Sequence, residues 1–189
     1  MPLPPSVPRE ELHLRRYELR GYRREDGLYD IESRMTDTKS QSLTLQSGRV
    51  VAADEPIHDM WIRVVVDDAL NVLDIVAATD SSPFDICHEA TATLQTIRGM
   101  RIAAGWTMAV KARLAGRKGC THLTEMLLPL ATVAFQTQAP VRLARPPAVD
   151  PTTGRPHKIN SCYAYASDRE VVLQRWPAFY DGPAKPPPA

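Results

Sequence analysis

The sequence predicts an α+β fold, an antiparallel sheet with about three helices packed on it. Segments of alternating or β-branched residues come first, and acidic turn pairs, Asp26-Gly27 and Asp67-Asp68, join them two by two. Helical spacing of apolar residues begins only afterwards and gives way to a last short strand pair.

The elements follow in order. Residues 1–13 are Pro-rich and polar, an extended arm. Tyr17 to Arg24 alternates, with Tyr17, Leu19 and Gly21 on one side. After the Asp-Gly turn, Leu28 to Asp37 returns, with Tyr29, Ile31, Ser33 and Met35 sharing a face. Residues 38–55 are polar, with a short strand expected through Arg49 to Ala52. Met60 to Val66 and Val72 to Thr79 make the clearest hairpin. Ser82-Pro83-Phe84-Asp85 carries the signals of a helix start, so a helix is expected to run to Arg98 and stop at Gly99. A second helix is expected over Trp106 to Leu114, and a third from Thr121 to Gln136. Pro129 predicts a kink in the third helix or a later start. A Pro-rich connection then leads to an expected hairpin, Ile159 to Ala166 with Glu170 to Gln174, in which Cys162 is a core thiol. A single domain over 14–180 with a disordered Pro-rich tail at 181–189 is the expected organisation.

The 189 residues have a formal net charge of +1, which gives no whole-molecule field toward nucleic acid or membrane. No apolar run is long enough to span a bilayer, and the N-terminus has no secretory pattern. Three cysteines do not make a disulfide framework, so reduced thiols in a cytoplasmic protein are expected. The arginines at 15, 16, 20, 23 and 24 read as a solvated strand face paired with local acids, with a phosphate-binding face as the alternative.

Chemistry concentrates in three places: His58-Asp59, Asp80 with Cys87-His88, and Cys120 with His122. In Gly119-Cys120-Thr121-His122-Leu123, the cysteine sits in the field of a helix N-terminus, which favours the thiolate, and Thr121 is the expected cap. If the strand end and the helix starts meet, His58, Cys87, Cys120 and His122 form a thiol and imidazole set suited to zinc or iron. Asp59 and Asp80 are then read as carboxylates behind the ligands, orienting a histidine or assisting cluster exchange.

Two resemblances add to this reading. At His58-Asp59-Met60-Trp61, at Thr79-Asp80-Ser81-Ser82-Pro83-Phe84 with Cys87, and at Gly119-Cys120-Thr121-His122-Leu123, the chain resembles an uncharacterised bacterial family catalogued only as a domain of unknown function. The likeness extends from Arg15 to Tyr180. Residues 58–138 also resemble, remotely, the iron–sulfur cluster assembly scaffolds of the NifU/IscU type, through Val66-Asp67-Asp68, Gly99 and Cys120 in that order. In that register the scaffold's cysteines correspond to Pro56, Ser82 and Cys120, and its aspartate to His58. Cys87 lies about one turn beyond Ser82.

The expected function is a metal- or iron–sulfur-cluster-binding protein, scaffold- or carrier-like, with iron–sulfur or zinc as cofactor and a protein partner for transfer. The alternatives are an enzyme with Cys120 as nucleophile and a histidine base, and an interaction module whose cysteines are structural.

Overall fold

The computed structural model describes residues 3–183, so the expected tail lies outside the described residues from 184 onward. The chain divides into two compact units, Met1–Gln138 and Ala139–Ala189, where the sequence is read as one domain.

The first unit opens with strands β1 (Leu14–Arg23) and β2 (Tyr29–Thr38), followed by a minor hairpin of β3 (Leu43–Thr44) and β4 (Val50–Val51). Strands β5 (His58–Val66) and β6 (Val72–Ser81) complete an antiparallel four-stranded sheet of order β1-β2-β5-β6. Gly27 supplies the positive φ of +84° at the first turn, where the Leu28 N–H donates to Asp26 Oδ1 at 3.2 Å. At the β5–β6 turn, Asp67 Oδ1 accepts the N–H groups of Ala69 and Asn71 at 2.9 and 2.8 Å.

Strand alternation decides which side of the sheet is buried. Tyr29, Ile31, Ser33, Met35 and Asp37 are buried at every second position of β2, and Met60, Ile62, Val64 and Val66 at every second position of β5. This face packs against a 3-10 helix (Asp85–Ile97) and against α2 (Thr121–Thr137), and α1 (Trp106–Leu114) packs on those two helices. Val110, Leu123, Met126, Leu127 and Leu130 are among the fully buried helical residues of that core. Each such side chain contributes roughly 1.5–3 kcal/mol by leaving water. Trp106 is fixed by donating its indole N–H to the Leu127 carbonyl at 3.1 Å.

Helix α2 lies along the sheet in the same sense as β1. Near its start Glu125 meets Arg15, and at its end Thr137 sits on Gly21. A Cβ at Gly21 would overlap the Thr137 side chain, reaching 2.8 Å from its Cβ and Cγ2, so a residue without a side chain lets the helix end close on the strand. Pro129 neither delays nor ends the helix, which runs unbroken from Thr121 to Thr137. It leaves the Glu125 carbonyl without its intrahelical donor.

Several local expectations are corrected. The segment after Ser82 is a 3-10 helix that begins at Asp85, and Ser82 donates its hydroxyl to the Phe84 carbonyl at 3.0 Å instead of capping. Thr91, Thr93 and Thr96 each bond back to a carbonyl three residues earlier, which competes with the α-helical pattern. Cys120, not Thr121, is the N-cap residue of α2, and it makes no side-chain cap bond.

The second unit contains α3 (Ala139–Leu143), a 3-10 turn at Tyr163–Tyr165 and α4 (Glu170–Arg175), with Ile159 and Val172 buried. The expected hairpin is absent among the described residues. Glu170 starts a helical turn and accepts a bond from Gln174 at 3.1 Å, and an acid at its start and a base at its end suit the helix dipole. Cys162 is exposed, not a core thiol. Among the described residues, no helix is long and apolar enough to cross a membrane.

Two substitutions test this packing. Gly21→Ala pushes a methyl into Thr137 and is expected to cost about 1–3 kcal/mol in a urea unfolding curve. Ser33 is 0% exposed and its hydroxyl has no hydrogen-bond partner among the described residues, so Ser33→Ala is expected to raise stability by about 1 kcal/mol.

Candidate metal centre

The alternation that buries Tyr29, Ile31, Ser33 and Met35 carries Asp37 into the same face, at the end of β2. Register then sets its neighbours, because Asp37 faces Arg15 of β1 on one side and His58 of β5 on the other. The Asp37 side chain is only 3% exposed, and every partner it has bears on its charge. Arg15 donates Nε to Oδ1 and Nη2 to Oδ2, both at 2.7 Å, in a bidentate fork. His13 Nε2 lies 3.3 Å from Oδ1, and His58 Nδ1 lies 3.0 Å from Oδ2.

Helix α2 adds the remaining groups from its first turn. The His122 ring centre lies 4.0 Å from that of His58, with the rings tilted by 41°. Cys120 Sγ lies 3.9 Å from His122 Nδ1. One turn along, Glu125 approaches Arg15 Nη1 at 3.4 Å. Asp37, His58 and His122 each present a ligand atom, and the three atoms lie within 4.8 Å of one another.

The charges of the cluster are fixed by burial and by Arg15. Burial acts to raise the Asp37 pKa, but the hydrogen bonds and charge of Arg15 outweigh it and hold the carboxyl below its ordinary value. The Arg15 pKa is raised in turn by its bond to Asp37. Burial, helped by the neighbouring His122, lowers the His58 pKa despite Asp37. Burial and the Arg15 cation lower the His122 pKa despite Asp37 and Glu125. An ionised Asp37 accepts the Nδ1 proton of a neutral His58, which leaves the His58 Nε2 lone pair available to a metal or a proton.

Of the six candidates read from the sequence, His58 and His122 come together and Cys120 touches His122. Cys87 and Cys120 lie outside the group of three, Cys87 half-buried on the 3-10 helix. Asp59 and Asp80 stand apart from it. Asp59 follows His58 directly, so its side chain points to the opposite sheet face, where Arg34 grips it at 2.9 and 2.7 Å. Asp80 accepts the Trp61 indole N–H at 3.0 Å. The carboxylate beside the histidines is Asp37, which the sequence reading missed together with Arg15 and His13. The signal was available: an acid in the buried phase of an alternating strand requires a cationic or polar partner.

The shifts fix the sign of the acid response of the metal-free protein. Both histidines have lowered pKa values when folded, so as pH falls through about 6.5 the unfolded chain takes up protons first and stability drops. That loss levels off once the folded histidines are also protonated. The Asp37 contribution, from a lowered carboxyl pKa, is retained to lower pH and is lost below about 4. Urea midpoints measured from pH 8 to 3 with a chelator are expected to fall in these two stages, and His58→Gln with His122→Gln is expected to flatten the first.

No curated protein and no solved structure matches the chain. A family profile matches residues 13–136, a span that includes His13, Arg15, Asp37, His58, Cys120, His122 and Glu125. The chain belongs to the family described as Protein of unknown function (DUF2889).

Proposed function

We propose that this chain binds a transition-metal ion, zinc in preference to an iron–sulfur cluster, through His58 and His122, with Cys120 supplying a thiolate. The observation that carries the reading is the convergence of Asp37, His58 and His122 within 4.8 Å at the junction of two strands and a helix start. Asp37 serves behind the ligands, because both its oxygens are occupied by the Arg15 fork and one of them also meets His58 Nδ1. A carboxylate–histidine pair of this kind fixes the ring tautomer and strengthens the ligand nitrogen. Depressed histidine pKa values favour the neutral imidazole that metals bind.

The donor set favours one of the two cofactors expected from the sequence. Two imidazoles and a thiolate suit zinc, whereas cysteine sulfur dominates most iron–sulfur ligation and only Cys120 lies beside the histidines. The scaffold likeness of residues 58–138 is therefore best taken as an order of elements, with a metal carrier or a zinc centre as the function and a protein as the transfer partner. Three free cysteines fit a cytoplasmic setting in a bacterial protein.

A second reading rests on the 3.9 Å approach of Cys120 Sγ to His122 Nδ1. Without metal, that pair is a thiol beside a base, the arrangement of a cysteine nucleophile.

Cobalt titration of the chelated protein separates the two. One Co(II) per chain with a thiolate charge-transfer band is expected, and His58→Ala or His122→Ala is expected to weaken binding by at least about tenfold. Cys120→Ser keeps part of the binding and loses the charge-transfer band. Absence of cobalt binding, combined with rapid single-site labelling of Cys120 by iodoacetamide, would replace the metal reading with the thiol one.

A further inference from the structure

The sheet face opposite the histidines carries its own ordered rows. Register sets Arg16, Thr36 and Asp59 side by side across β1, β2 and β5, and Glu18, Arg34 and Trp61 in the next row. The charges around them are matched. Arg34 forks onto Asp59 and lies over the Trp61 ring at 4.6 Å, Arg20 pairs with Glu18, and Arg63 approaches Glu32 at 3.8 Å.

Arg16 is the exception. Its cross-strand neighbour is Thr36 where an acid would have paired it, the nearby Asp59 is taken by Arg34, and Glu18 is taken by Arg20. Among the described residues it makes no ion pair and no side-chain hydrogen bond, and the hydroxyls of Thr36 and Thr38 are likewise without a partner. These three groups line a hollow of about 490 Å³ that is completed by Tyr17, Glu18, Arg34, Pro56 and Asp59. Its volume falls in the range of small-molecule sites, roughly 300–1,000 Å³.

From this arrangement we infer that the hollow binds a small organic acid through its oxyanion. The planar Arg16 fork takes a carboxylate or phosphate by two parallel bonds, and the Thr36 and Thr38 hydroxyls donate to the same group. The Asp59 charge, which would repel an anion, is cancelled by its own fork from Arg34. Pro56 offers apolar surface to the rest of the molecule. The sheet lies between this site and the histidine cluster, and the inference does not rest on the metal reading.

The test is a ¹H–¹⁵N titration of the full chain with a chelator present, using benzoate and phenyl phosphate separately. Saturating shifts at Arg16, Thr36 and Thr38 are expected at millimolar concentration, on the order of the weak binding that one exposed fork supports. Arg16→Gln is expected to weaken binding at least about fivefold with an unchanged melting temperature, because Arg16 holds nothing else in place. Thr36→Val, which keeps the side-chain shape, is expected to weaken it less. Saturation by benzoate alone assigns a carboxylate, and saturation by phenyl phosphate alone assigns a phosphate ester. Shifts that do not saturate with either probe, or that are the same in Arg16→Gln, would overturn the site.

Discussion

A carboxylate that is 3% exposed has to be compensated where it lies, and Asp37 is compensated by a guanidinium from the adjacent strand. The rest of the cluster follows from that pair. Arginine does not give up its proton in a protein, so the ionised state of Asp37 is secured once the fork is made. An ionised Asp37 draws the Nδ1 proton of His58, which sets the ring's orientation and leaves its other nitrogen as a lone pair. The helix start then brings His122 against the prepared ring. A buried ion pair is weak evidence for stability by itself, and here it also fixes which atoms can do chemistry.

The helical packing makes that meeting reproducible. Arg15 touches Glu125 near the start of α2 and Gly21 admits Thr137 at its end, so one strand guides both ends of the same helix. A helix held at two points along a strand has little freedom to rotate His122 away from His58. The position of the candidate centre is thus a result of packing as much as of its own polar contacts.

Much of this fold was legible from pattern. The two hairpins declared themselves through Asp26-Gly27 and through the β-branched runs on either side of Asp67-Asp68, because strand alternation and turn chemistry are local. Trp106–Leu114 is read with the same ends from the sequence and in the structure, since apolar spacing and a following glycine agree there. The misreadings fall where local signals conflict. Val171 and Val172 read as strand, yet Glu170 and Arg175 bracket a helical turn that suits them better. Ser82 and Pro83 announce an α-helix, but the threonines beyond them bond back to the chain.

At the site, His58 and His122 were legible as residue types, whereas Asp37 was not, since it sits in a polar stretch 21 residues from His58 in sequence. Only the phase of its strand marks it.

That phase has a consequence for how the chain tolerates change in length. Thr36 and Asp37 are consecutive, as are His58 and Asp59, and each pair sends one side chain to either side of the sheet. A one-residue slip of β2 would exchange what the two faces present, bringing Thr36 inward and turning Asp37 toward the hollow. An insertion of a single residue within β2 or β5 is harmless only if a bulge absorbs it. Gene variants that lengthen this chain are therefore expected to accumulate in the polar stretch between Lys39 and Glu55, which pairs with neither central strand, and to leave the strands themselves at constant length.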